Sequence, residues 1–229
     1  MRQPNTLKTF LSILFLGLCL GLTQVAQAKA SESPEILLKN TATKMIDALN
    51  QNRDKIKGNP LMTEKLIEKI LLPHIDIITA SKYVLGPTWN SASTPQKIEF
   101  IKTFRNLLLR FYSSALSEYL NSHDEKLSMS LISFQDPGKI EGNQVTIRST
   151  VQPKNGKPVP IIYQMLKTQR GWKVFDVSVE GVSVITTYKT SFASEIQQKG
   201  LDGLIASLKE RNAKLMAGDN SALKLNKKQ

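Results

Sequence analysis

One cysteine and two histidines are all that this 229-residue sequence offers a metal or a redox centre. Cys19 lies in an apolar segment near the N-terminus, while His74 and His123 stand far apart with no partner at ligand spacing. A zinc or catalytic-histidine site is therefore not expected. Gly-x-Ser-x-Gly, His-Glu-x-x-His, the P-loop and the dinucleotide fingerprint are all missing, so no familiar constellation can be written as a reaction. No apolar run reaches the ~20 residues that span a bilayer. Acidic residues are scarce as well: 19 Asp and Glu face 31 Lys and Arg, for a net charge of +12.

The N-terminus carries the first positive signal. Arg2 and Lys8 precede the apolar run Phe10–Leu22, and Ala26-Gln27-Ala28 follows as a small-x-small pattern. This is the layout of a secretory signal peptide, cut after Ala28. A membrane anchor is the competing reading, and the run is too short for one. Cys19 follows Leu18 rather than a small residue, which argues against lipid attachment there. The expected parts are a signal peptide over 1–28, a folded domain over 29–216 and a disordered basic tail over 217–229. Without the signal no thiol remains, and the fold must hold by core packing alone. Losing Arg2 and Lys8 takes the 31 cations to 29 against the same 19 acids, still basic by 10. Export argues against nucleic acid as a partner. Anionic phospholipid, a membrane face or an acidic protein patch suits the charge, and plain solubility is the alternative.

Periodicity divides the domain into a helical part over about 34–93 and an α+β part over about 94–211. Ser33 caps a first helix with Pro34 at its first position, and Ile36, Leu37, Thr41, Met45, Ile46 and Leu49 repeat at helical spacing. Gly58-Asn59-Pro60 breaks the chain before a second helix from about Thr63 to Leu72, stopped by Pro73. A short helix and turn over His74 to Leu85 ends at Gly86-Pro87. Thr94 as cap and Pro95 as first residue open a long helix with Ile101, Phe104, Leu108, Phe111, Ala115 and Tyr119 in one stripe. Leu107, Tyr112, Leu116 and Leu120 widen that stripe beyond what one sheet contact requires.

The period then changes to two. Leu127–Phe134 alternates as a strand, and Gly142-Asn143 turns into Val145, Ile147 and Val151. Asn155-Gly156 sits in the next turn, before Val159, Ile161, Tyr163 and Met165, and Gly171 turns into Trp172–Val179. Short turns make these an antiparallel meander with one face under the helices. Gly181 leads into a helix with Val184, Ile185, Tyr188, Phe192 and Ile196 inward, Gly200 ends it, and Asp202 to about Leu215 forms the last. Asp176 and Glu180, at the end of the fourth strand, read either as a carboxylate pair in a cavity or as a strand-end cap. The first reading gives an isomerase or hydrolase, and the second leaves no general base. A purely protein-binding adaptor or chaperone is a further alternative. The apolar surplus facing the sheet suits either a filled core or a ligand tunnel, and pattern alone leaves both open.

Ordered strings now carry a resemblance. They are Gly58-Asn59-Pro60, Leu71-Leu72-Pro73, Val84-Leu85-Gly86 with Trp89, Thr94-Pro95-Gln96, Trp172, Asp176, Glu180-Gly181-Val182-Ser183, Ile185-Thr186-Thr187 and Lys199-Gly200-Leu201-Asp202-Gly203-Leu204. In order and spacing, from roughly Pro34 to Arg211, the chain resembles the MlaC family of periplasmic phospholipid-binding proteins, also called the toluene-tolerance family. The resemblance implies an α+β fold: a twisted antiparallel sheet of four to five strands, nuclear-transport-factor-2-like, wrapped by helices. It implies acyl tails held between sheet and helices and no enzyme activity. No cofactor is implied; the ligand is phospholipid. It further implies a periplasmic monomer that shuttles lipid between an outer-membrane lipoprotein complex and an inner-membrane ABC transporter complex. Together with the aromatic surplus it nominates Leu85, Trp89, Ile101, Phe104, Leu108, Phe111, Tyr112, Ile147, Tyr163, Met165, Val174, Val184 and Tyr188 as lipid contacts. Lys189, where many members carry arginine, is the expected headgroup or partner contact. It keeps the charge without the bidentate fork.

Overall fold

The computed structural model describes residues 32–154 and 156–218. The signal peptide, Asn155 of the second turn and the tail from 219 onward lie outside the described residues.

Helix α1 (Pro34–Gln51) begins as the cap signal requires: the Ser33 hydroxyl accepts the Ile36 N–H at 3.3 Å. A single turn, α2 (Arg53–Ile56), precedes α3 (Pro60–Ile70). Here Pro60 sits at a helix start, so α3 opens earlier than the Thr63 expected, where the missing proline N–H costs nothing. After a 3-10 turn over Leu72–His74, the Asp76 N–H donates to the Val174 carbonyl at 2.8 Å, tying the chain to the sheet. The Asp76 carboxylate then caps α4 (Ile77–Leu85), accepting from the Thr79 N–H at 2.9 Å and its hydroxyl at 2.8 Å. One further turn, α5 (Thr88–Ser91), leads to α6 (Thr94–Ser122). Its cap is Ser93, one residue before the Thr94 expected, because Gln96 reaches back to the Ser93 N–H and closes a capping box.

The first strand is shorter than its alternation suggests. β1 covers only Ile132–Phe134, and Met129–Leu131 form a 3-10 turn. Two local bonds explain this. Asn50 holds the Leu127 backbone from both sides, and the Ser128 hydroxyl accepts the Ser130 N–H, so these groups are taken from any ladder. β2 (Gln144–Val151), β3 (Val159–Thr168), β4 (Gly171–Val179) and β5 (Val182–Ser183) complete a five-stranded antiparallel sheet in sequence order. Glu180 (φ 52°) and Gly181 (φ 83°) both take positive φ in the two-residue turn before β5, the backbone of a type I′ hairpin. Helix α7 (Val184–Met216) is broken at Gly200 (φ 70°, ψ 177°), where the sequence places a helix end.

Register fixes what each face carries. Ile147 pairs with Tyr163, and Tyr163 with Val177; Val145 pairs with Met165, and Met165 with Val174. Phe134, Ser149 and Ile161 lie on the same face. Thr146, Arg148, Gln164 and Ser178 hold the other. Buried apolar side chains gather in three separate clusters. One joins this sheet face to Leu37 and Leu38 of α1. Another joins α4, α6 and α7 through Val84, Phe100, Phe104, Phe192 and Leu204. The third joins α1, α3 and α6 through Met45, Leu49, Ile67 and Leu109.

Candidate functional site

The residues nominated from sequence fall into two groups. Ile147 and Met165 are fully buried on the apolar sheet face, with Val174 nearly so, where α1 covers them through Leu37 and Leu38. Leu85, Phe104 and Tyr188 belong to the helical cluster instead. There Phe104 meets Phe100 (centroids 5.5 Å apart, stacked), Tyr188 (5.3 Å, edge-on) and Phe192 (5.8 Å, edge-on). Trp89, Leu108, Phe111 and Val184 are half-buried against that cluster, and Ile101 is half-buried on α6. Lys189 is exposed, its Cε 3.5 Å from where a side chain on Gly86 would begin.

Between these groups the apolar sheet face is not sealed. Tyr163, Val177 and Ile161 are only half-buried, although they continue the face that Ile147 and Met165 begin. Tyr163 stacks on Phe134 at 6.4 Å and takes a hydrogen bond from the Ser149 hydroxyl at 3.3 Å. Burial pushes its phenol above the usual 10, against the smaller pull of that hydrogen bond. Tyr112 behaves alike. Its side chain is 42 % exposed, yet burial, and then the charge of Asp176, raises its phenol above 10. Both rings are thus partly desolvated by the protein around them without being sealed from solvent. Phe111 meets Tyr112 edge-on at 5.2 Å on α6.

Sequence alternation missed part of this apolar face for one reason. Counting by twos from Val174 sends Asp176 and Ser178 inward. In the structure Met165 pairs with Val174 but Gln164 pairs with Asp176, so β4 carries one extra residue, Phe175. That bulge turns Val177 onto the apolar face and Asp176 off it. Phe175 itself packs on the helical cluster and stacks with Tyr83 at 5.4 Å. No local signal such as a glycine marked the bulge.

Asp176 is committed to holding the chain together. Its oxygens accept the Ser183 hydroxyl at 2.7 Å, the Ile185 N–H at 3.1 Å and the Val177 N–H at 2.9 Å, so it secures the start of α7. Glu180 is an exposed turn residue. The carboxylate-pair reading is thereby corrected: the two residues do not face one cavity. Among the described residues no cluster of His, Cys, Asp and Glu could hold a metal, and no helix is long and apolar enough to cross a membrane.

What the described residues offer is an apolar sheet face that the helices leave partly uncovered, with Tyr163 and Phe134 stacked along it. The family model described as MlaC protein matches residues 39–210. This chain belongs to the MlaC family. It is 28 % identical over 213 residues to the intermembrane phospholipid transport system binding protein MlaC of Haemophilus influenzae, covering 92 % of this chain and 93 % of that one. It is likewise 28 % identical over 175 residues to the toluene tolerance protein ttg2D of Pseudomonas putida, covering 76 % and 77 %. Among solved structures, the phospholipid-binding protein from Ralstonia solanacearum, in complex with a phospholipid, superposes with a TM-score of 0.69 at 28 % identity. That match covers 80 % of this chain and 98 % of the other. The resemblance read from the ordered strings is borne out, as is the α+β antiparallel architecture it implied.

Proposed function

We propose that this member of the MlaC family is a periplasmic phospholipid carrier rather than an enzyme. The observation that carries the reading is the unsealed apolar face: Tyr163 is desolvated yet only half-buried, with half-buried Val177 and Ile161 beside it on the sheet. Acyl tails enter between this face and α6, and each buried methylene contributes ~0.8 kcal/mol. A tail of ordinary length then needs no specific polar contact to be held. The headgroup stays at the rim, where exposed Lys189 contacts it or the receiving protein. Family membership supports the wider role, in which the chain takes lipid between an outer-membrane lipoprotein complex and an inner-membrane ABC transporter complex. The layout of Arg2 to Ala28 supports export. Native mass spectrometry of the chain purified from cells tests the reading. Phospholipid masses bound in simple stoichiometry are expected, and a uniformly lipid-free spectrum under gentle conditions contradicts it.

A further inference from the structure

We propose that the outer face of α4 docks on an anionic lipid bilayer, beside the mouth of the lipid site. This rests on the carrier reading above. A helix at a protein surface ordinarily turns a polar face outward. α4 does not. Ala80, Val84 and Leu85 are buried beneath it, yet Ile78 (58 % exposed) and Tyr83 (47 %) point outward, preceded by Ile75 (38 %).

Two cations frame this apolar face. Lys82 follows Ile78 by one turn, and Lys189 of α7 runs beside Gly86 at the end of α4. Both are exposed, and neither enters an ion pair among the described residues. Asp76 and Asp176 are taken up in capping α4 and α7, and Glu180 is exposed at the β4–β5 turn. Ile78 and Lys82 stand one turn apart on the same side of α4, with Tyr83 on its flank; an isoleucine beside a long-stemmed lysine suits a helix that lies in a bilayer interface, its apolar group sunk and its ammonium among anionic headgroups. Tyr83 also stacks on Phe175, two residues before Val177, so the patch borders the strand that carries the proposed site. A lipid passing between bilayer and slot at this edge would expose little tail to water.

Vesicle co-sedimentation tests this with the chain as purified from the producing cell, and native mass spectra of the same samples report bound lipid. Wild type is expected to sediment with vesicles of phosphatidylglycerol and phosphatidylcholine, less so as salt rises, and not with phosphatidylcholine alone. Lys82→Gln should weaken binding roughly fivefold. Ile78→Asp, at an exposed position that endangers no core, should weaken it at least tenfold. Both variants should keep wild-type lipid content. The proposal is overturned if wild type stays in the supernatant, or if both variants bind vesicles as wild type does; in either case the face serves a protein partner or none. Vesicle binding by a chain that never carries lipid would instead remove the carrier reading and leave the docking face standing.

Discussion

Two tryptophan substitutions on the same sheet face should have opposite consequences. Ile147 is fully buried between β2 and α1, whereas Val177, beside Tyr163 on the same face, is half-buried. Overfilling a packed core typically costs ~1–3 kcal/mol. For a chain of this size each kcal/mol shifts the melting temperature by ~2–4 °C. Ile147→Trp should therefore melt several degrees lower or fail to accumulate. At Val177 the added ring meets the space assigned to lipid. It fills the room of about three methylenes, each worth ~0.8 kcal/mol. The loss, ~2.4 kcal/mol, weakens lipid binding roughly fiftyfold. Melting should be followed by circular dichroism with both proteins stripped of lipid, because bound ligand raises stability by itself. Fluorescent-phospholipid titration then gives the affinities. If Val177→Trp unfolds as readily as Ile147→Trp, the face is a filled core throughout. If it folds and binds lipid unchanged, Val177 does not line the slot.

Other changes separate scaffold from site. Asp176→Asn leaves the Ser183 and Ile185 bonds at the start of α7 without their charge, and should cost about 1–3 kcal/mol in urea unfolding while lipid specificity stays the same. His74 is held below 6.5 by burial, then by Lys173 and Lys44, with Glu32 opposing. Its folded form thus resists protonation more than its unfolded form does, so the contribution to stability is full above 6.5 and falls as pH drops below it. His74→Gln should flatten the urea midpoint between pH values above and below that point, and an unaltered slope refutes the assignment. Glu195 on one side of the Gly200 break pairs with Arg211 on the other at 2.7 Å. Burial alone would raise this carboxyl, but the Ser207 hydroxyl and Arg211 outweigh it and hold it below 4.5. Glu195→Gln should cost about 1.5–3 kcal/mol at neutral pH and little in acid, where the wild-type carboxyl is protonated too.

Helix starts were legible to within a residue at Ser33–Pro34 and at Ser93 to Pro95, whereas Pro60 was read as a break and α3 opens three residues before the Thr63 expected. The meander was legible because Gly142-Asn143 and Gly171 separate alternating runs. β1 was over-read because Asn50, 77 residues away, takes the Leu127 backbone out of the ladder, and no local pattern encodes that. The Phe175 bulge likewise depends on pairing with β3, and it moved Val177 onto the apolar face and Asp176 off it. Phe104 and Tyr188 matched the apolar pattern of a lining, yet their stripe closes on Phe100 and Phe192 as core. Aromatic periodicity reports which way a residue faces and not whether the space it faces is filled.

The central claim is that acyl tails lie against the apolar face of the sheet. The photoreactive residue p-benzoylphenylalanine placed at Val177, and separately at Arg148 on the opposite face, tests it most directly. After irradiation of each protein as purified, intact mass spectrometry should find a phospholipid adduct at position 177 and none at 148. Adducts at 148 alone, or at both positions equally, would contradict it.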